Sequence, residues 1–279
     1  MLFSITWEVD PAAFTLFGRE IRWYGIFFAT GLGVAMYIVN KIFQHEKNPE
    51  KWYDSLVVYM LVGIVVGARL GHVIFYEPLR FLANPFDILR FWEGGLASHG
   101  GVIGIIIAVW LYSRKVTKES ILWTLDRVMV PTGLTAAMIR FGNLTNHEIF
   151  GGPTEAAWGF RFIENMHWWR MGVADPVFTE PSHPTQIYEA LVYLLVFAIT
   201  MYMYWKTTAV QRQGLITGVG ILIIFVARFF IEFIKHEQVA FEYGMLLNMG
   251  QLLSIPFIIW GIWLIWKAMK TPVEQPKKK

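Results

Sequence analysis

Residues Leu215–Phe233 read LITGVGILIIFVARFFIEF, and this run settles what solvent the chain is built for. It shows neither the alternation of a half-buried strand nor the polar stripe of a surface helix. As an α-helix it would extend about 28 Å, close to the ~30 Å of a bilayer's hydrocarbon core. In lipid only helices and closed barrels satisfy every backbone group, and a continuous apolar run is the helical solution. Six more such runs flank it: Trp23–Phe43, Tyr53–Phe75, Leu96–Tyr112, Ile121–Ile139, Ile187–Trp205 and Met245–Trp266. The expectation is an all-α integral membrane protein with seven transmembrane helices, forming one polytopic domain over residues 1–279.

Composition agrees. Of 279 residues, 55% are hydrophobic and only 16% charged, too apolar a balance for an ordinary soluble domain. The 13 Trp and 11 Tyr suit interfacial belts. A net charge of +3 raises nucleic acid as a partner, but the cations are scattered between apolar runs and form no stripe, so that reading is discarded. There is no cysteine, hence no disulfide, no thiolate metal site and no cysteine nucleophile; any thiol chemistry must use a substrate thiol. Met1–Asp10 lacks a basic region before a short apolar stretch and does not read as a cleaved signal peptide.

Thirteen Lys and Arg fall on one set of span ends (Lys41–Lys51, Arg114–Lys118, Lys206–Arg212, Lys267–Lys279) and seven on the other. The positive-inside rule then predicts the N-terminus outside and the C-terminus in the cytoplasm. The longest segment between spans, about residues 146–186, falls outside; rich in Gly, Pro and Trp, it is expected to form a small extracytoplasmic head between spans four and five.

Four cations remain inside or at the ends of spans: Arg69, Arg127, Arg140 and Arg228, each costly in lipid unless paired or hydrated. Around the second-last of these in sequence, Arg140-Phe141-Gly142-Asn143-Leu144-Thr145-Asn146-His147-Glu148-Ile149-Phe150-Gly151 packs polar groups into the outer end of span four. If the helix continues through it, Arg140, Asn143 and His147 share a face. A guanidinium suits a phosphate and two Asn amides suit a polar headgroup; a helix end snorkelling to the interface is the alternative. Glu93-Gly94-Gly95-Leu96-Ala97-Ser98-His99-Gly100-Gly101 is a glycine-rich entry to span three, where His99 is either a proton acceptor or a strut holding the turn. Arg228 and Glu232, one turn apart, either staple helices or bind and orient an anionic lipid phosphate. His183-Pro184-Thr185-Gln186-Ile187-Tyr188-Glu189 opens span five, with helix capping as its plain reading. Tyr24 reads as a belt residue, and Arg69 with His72 as a helix-packing network or a substrate contact.

The Arg140–Gly151 segment resembles the signature of the bacterial phosphatidylglycerol–prolipoprotein diacylglyceryl transferase family. Ile21-Arg22-Trp23-Tyr24-Gly25, Gly67-Ala68-Arg69-Leu70-Gly71, Trp92-Glu93-Gly94-Gly95-Leu96 with His99-Gly100-Gly101, and His183–Glu189 match further family motifs in the family's order. The resemblance implies a multi-pass enzyme of the bacterial inner membrane, with a periplasmic N-terminus, that acts in lipoprotein biosynthesis. It would move the diacylglyceryl group of phosphatidylglycerol to the lipobox cysteine of a prolipoprotein signal peptide, leaving a thioether and glycerol phosphate, with no cofactor and no metal. Catalytic positions would be His99, Arg140, Glu148, Arg228 and Glu232. Substrate-binding positions would be Tyr24, Arg140, Asn143, Asn146, Gly151 and Arg228. The chain departs from the pattern at Ile139, where Gly is common, at Leu144-Thr145, where Phe and an apolar residue are usual, and at Phe225, where some members carry Tyr.

Two other classes compete. A transporter or lipid carrier would also place Arg, Glu and His in spans, but no inverted repeat or pair of broken helices is visible. A scaffold or receptor would explain the spans but not the gathering of polar groups on one side.

Overall fold

The computed structural model describes residues 4–90, 95, 97–235 and 246–271, without the side chains of 80–82 and 98–99. Trp92, Glu93, Gly94 and Leu96 of the glycine-rich motif, Met245 and the tail after residue 271 lie outside the described residues. In chain order the elements are β1 Ser4–Thr6, β2 Ala12–Leu16, β3 Arg19–Arg22, α1 Trp23–His45, α2 Glu50–Phe75, α3 Pro78–Ala83, α4 Ser98–Tyr112, α5 Ile121–Thr145, β4 Gly159–Arg161, α6 Met166–Arg170, α7 Thr185–Lys206, α8 Leu215–Ile231 and α9 Met249–Lys270.

Six of these helical segments are long and apolar enough to cross a membrane: Trp23–His45, Glu50–Phe75, Gly100–Thr117, Thr185–Lys206, Leu215–Ile234 and Met249–Lys270. The protein is a multi-pass membrane protein. The fourth expected span is helical as well, 25 residues long, yet it is not among the six. Asp126, Arg127, Arg140 and Asn143 lower its apolar content. The all-helical expectation also needs amendment, since β1 pairs in parallel with β4 and β2 pairs antiparallel with β3.

The chain forms two compact units, Met1–Tyr37 with Met129–Lys279, and Ile38–Val128. In the Ile38–Val128 unit, α2 lies on α4 through glycines. A Cβ on Gly104 would meet the Gly63 carbonyl oxygen at 2.0 Å, and one on Gly67 would meet that of Gly100 at 2.4 Å. Lipid offers little hydrophobic drive for helix association, so this backbone-to-backbone approach is what gives the pair its dispersion contacts. Arg127 is buried but compensated, with Nε 2.7 Å from Glu46 Oε2 and its guanidinium 3.7 Å from the Trp123 ring.

In the other unit α5, α7, α8 and α9 supply the helical frame. Gly133 of α5 faces α7 so closely that a Cβ would lie 2.4 Å from the Tyr193 carbonyl oxygen. Ala137, Ala190 and Tyr193 form the buried contact beside it. Gly218 of α8 and Gly261 of α9 play the same part for the next pair. The head is built on Leu144, Phe160 and Phe162, with Trp7 packed against them and its indole Nε1 donating to the Leu144 carbonyl at 3.0 Å. Complete burial of Phe162 contributes about 2–3 kcal/mol. Arg170 of α6 ties the head to the hairpin, reaching Asp10 at 3.0 Å and Glu20 at 2.6 Å.

Candidate active site

Five charged side chains from α5, α7, α8 and the turn after α8 form a continuous row in the first unit. Arg140 Nε lies 2.7 Å from Glu189 Oε2, a close ion pair rather than an aligned hydrogen bond. Lys235 Nζ donates to Glu189 Oε1 at 2.7 Å and to Glu232 Oε1 at 3.3 Å. Arg228 Nη2 closes the row, 3.3 Å from the same Glu232 oxygen. The interior members are nearly inaccessible, with side-chain exposures of 1% for Glu189, 3% for Lys235 and 5% for Glu232, whereas Arg228 keeps 34% and Arg140 15%. Breaking such a buried pair leaves a lone charge, which costs about 3–5 kcal/mol. The buried carboxylates and lysine thus fix two guanidiniums whose remaining N–H groups can meet an anion.

Helix α9 supports the row at Glu232. Asn248 caps α9 reciprocally with Gln251, its side chain accepting from the Gln251 amide at 2.8 Å, and its Nδ2 donates to the Glu232 carbonyl oxygen at 3.2 Å. Gly250 lets the carboxylate approach the first turn of α9, since a Cβ there would stand 2.5 Å from Glu232 Cδ. The carboxylate therefore sits against the positive end of a helix.

The end of α5 presents the second half of the site. The helix stops at Thr145, and His147 (φ +56°) and Ile149 (φ +61°) both take left-handed backbone conformations around Glu148. A β-branched residue rarely adopts that conformation, which costs of order 1–3 kcal/mol and persists only where the surroundings hold it. The holding groups belong to α7: Gln186 Nε2 donates to the Glu148 carbonyl at 2.8 Å and the Thr185 hydroxyl to that of Ile149 at 2.9 Å, both side chains wholly buried. The turn delivers the Glu148 carboxylate to Asn143 Nδ2 at 2.8 Å and Asn146 Nδ2 at 3.1 Å, both on Oε1. Asn143 Oδ1 in turn accepts from Arg140 Nη1 at 3.1 Å, linking this cluster to the row of charges.

The shared face expected for Arg140, Asn143 and His147 is corrected by that helix end. With the helix over at Thr145, the His147 ring turns into the head, where Nε2 meets the Val9 carbonyl at 2.9 Å and Nδ1 accepts from the Ile163 amide at 3.0 Å. Burial lowers its pKa, partly offset by the bond to Val9. His147 is a neutral strut.

Tyr24, at the start of α1, packs on Gly142, where a Cβ would come 2.7 Å from its ring. Glu148 and Arg140 are its charged neighbours. Gly151 is enclosed by Ile234, Thr185 and His183, any Cβ lying within 2.6–2.9 Å of them, and its amide donates to the His183 carbonyl at 2.8 Å. Phe225, where a hydroxyl was in doubt, stacks on Phe257 with ring centroids 4.3 Å apart. His99 belongs to the Ile38–Val128 unit, on the first turn of α4, and its side chain lies outside the described residues. Arg69 of that unit donates to the carbonyls of Ile88 at 2.9 Å and Gly95 at 3.2 Å, holding the chain that leads into α4.

Sequence reasoning offered Tyr24, Arg140, Asn143, Asn146, Glu148, Gly151, Arg228 and Glu232 as candidates, and all of them lie in one unit. It passed over Lys235, counted only as a loop cation, and Glu189, quoted in its motif but read as part of a helix start. It also passed over Asn248 and Gln251, whose reciprocal cap of α9 lies against Glu232.

Apolar helices around a buried row of paired charges that ends in two partly open guanidiniums define a polytopic membrane protein with a charged interior cluster. Residues 11–267 match the family model described as prolipoprotein diacylglyceryl transferase. The chain is 57% identical over 277 residues, 97% of either chain, to the phosphatidylglycerol–prolipoprotein diacylglyceryl transferase of Porphyromonas gingivalis. It is 44% identical to the protein of the same name from Chloroherpeton thalassium, with 95% of each chain covered. The protein of that name from Tolumonas auensis is 41% identical, over 95% of this chain and 97% of that one. The chain belongs to the prolipoprotein diacylglyceryl transferase family.

Proposed function

We propose that this protein transfers the diacylglyceryl group of phosphatidylglycerol to the thiol of a prolipoprotein's lipobox cysteine, the first step of bacterial lipoprotein maturation. The thiolate sulfur bonds to the glyceryl carbon that carries the phosphate ester. The carbon–oxygen bond breaks, its electron pair stays with the phosphate oxygen, and glycerol phosphate departs. The thiol proton passes to a base, for which His99 is the candidate. Arg140 and Arg228 bind the phosphate and stabilise the charge it gains, where fixed donors in a low-dielectric pocket act most strongly. Glu232 orients Arg228; Asn143, Asn146 and Glu148 fix the headgroup side, with Tyr24 and Gly151 shaping the pocket. The observation that carries this reading is the row from Arg140 to Arg228, which holds two guanidiniums in place among apolar helices.

The finer topology belongs to the same proposal. Helix α5 crosses the membrane as a seventh span, tolerated because Arg127 and Arg140 are both paired. The N-terminus and the 146–186 head lie outside the cytoplasmic membrane and the C-terminus inside, following the distribution of Lys and Arg.

The test uses purified protein with phosphatidylglycerol and a synthetic lipobox peptide, following glycerol phosphate release and peptide mass. Wild-type protein is expected to add a diacylglyceryl mass only to peptides that contain the cysteine. Arg140→Ala should abolish transfer in protein that still inserts and folds. Arg228→Lys should lose at least tenfold if the contact is bidentate. Wild-type transfer rates in Arg140→Ala would overturn the phosphate role.

A further inference from the structure

A polar pocket of about 420 Å³ opens beside the turn that carries Glu148. Glu20 and Arg22 of the β2–β3 hairpin, Asn146 and Glu148 of the turn, and Met166 and Arg170 of α6 stand around it. Its size falls within the range of ligand pockets, roughly 300–1,000 Å³. Asn146 and Glu148 belong both to this pocket and to the cluster joined to Arg140, so an occupant lies directly beside the intramembrane charges. None of the row from Arg140 to Arg228 lines it.

The lining states what it can hold. Its charged and polar walls reject an acyl chain, and Glu20 and Glu148 stand among Arg22, His167 and Arg170, a mixed lining that suits a ligand with both donors and acceptors better than a lone anion. Asn146 Oδ1 has no hydrogen-bond partner among the described residues while its Nδ2 is spent on Glu148, so one acceptor is left unspent on the residue that lines the pocket. Arg22, by contrast, is an exposed cation with no side-chain partner among the described residues, so a donor awaits an acceptor. A polypeptide backbone offers both kinds of group, and Met166 beside them is an adaptable surface for varied side chains.

We propose that this pocket receives the residues of the acceptor polypeptide that directly follow its cysteine, an inference that rests on the transfer reaction proposed above. The thiol must reach the carbon next to the phosphate held by the arginines, so the chain adjoining the cysteine must pass the wall nearest that phosphate. The segment before the cysteine of an export signal is apolar and stays in lipid. The segment after it is bound for water, and the polar pocket in the head is the matching environment.

The experiment separates peptide from lipid. Arg22→Ala, and Met166→Trp to fill the cavity, should each raise KM for a lipobox peptide about tenfold, with kcat and KM for phosphatidylglycerol held within about twofold. A rise in KM for phosphatidylglycerol instead would make the pocket a lipid headgroup site, and unchanged KM for both would remove it as a subsite; either result overturns the inference. Wild-type protein with a photoreactive benzophenone side chain one residue after the peptide cysteine gives a check independent of variant folding. Crosslinks to Met166–Met171 or to the hairpin are expected, and crosslinks found only elsewhere would overturn the inference. Absence of any transfer by the wild type would instead sink the reaction on which it rests.

Discussion

Lys235 touches the two carboxylates that hold Arg140 and Arg228, so it governs both arginines while facing neither solvent nor, on the proposed reading, substrate. Lys235→Met should lower transfer at least a hundredfold and destabilise the protein by about 3–5 kcal/mol, because Glu189 and Glu232 lose their shared cation. Lys235→Arg should restore part of both. The readouts are transfer rate and thermal unfolding in detergent, and wild-type activity in Lys235→Met would show that the row is not needed as a unit. His147 gives a pH dependence of known sign. Its folded pKa is lowered by burial, so the stability it contributes is present above the ordinary imidazole value of about 6.5 and is lost as pH falls through the folded value. Protonation of Nδ1 would remove the acceptor for the Ile163 amide, and exchange protection of that amide is expected to drop on acidification below about pH 6.5. Protection of that amide that stays flat until the whole fold is lost in acid would contradict the assignment.

Elements were legible in the sequence to the degree that lipid imposes one solution on them. The runs Tyr53–Phe75 and Leu215–Phe233 became helices within a few residues of their expected ends, because a continuous apolar run has no other way to satisfy its backbone. Helix α5 was legible as a helix but not as one apolar enough to cross a membrane: Asp126, Arg127 and Arg140 break its apolar pattern, with Arg127 paired to Glu46 and Arg140 to Glu189. The site was legible where its residues cluster locally, as from Arg140 to Gly151. It was not legible where Lys235 and Glu189 meet, 46 positions apart, since no local spacing records a contact between helices. Glycine was legible as a residue of close approach without naming its neighbour. Gly104→Ala in α4 would place a Cβ 2.0 Å from the Gly63 carbonyl oxygen, on backbone that cannot yield as a side chain would. The α2–α4 pair should be destabilised by about 1–3 kcal/mol, read as a lower melting temperature; an unchanged melting temperature would mean that the helices separate freely.

For the whole molecule, the absence of cysteine is an experimental convenience. Single cysteines report sidedness against a silent background. Phe17→Cys, at the 95% exposed tip of the β2–β3 hairpin, should react with a membrane-impermeant maleimide added to intact cells stripped of outer membrane. Thr271→Cys, just past α9, should react only after the membrane is opened. Labelling in the reverse order would invert the proposed topology and move the head to the cytoplasm.

The row from Arg140 to Arg228 has an odd number of members. Read along its length the signs alternate, plus, minus, plus, minus, plus, and the tally is one positive in excess. A phosphate diester brings one negative charge, so on the proposed reading the donor lipid is the sixth member that makes the row electrically even. The product, a phosphate monoester with a second ionisation near neutral pH, overshoots that balance. One arrangement of charges therefore meets substrate and product as two different loads, so on the proposed reading the affinity of the monoester for the row depends on pH near neutrality and that of the diester does not.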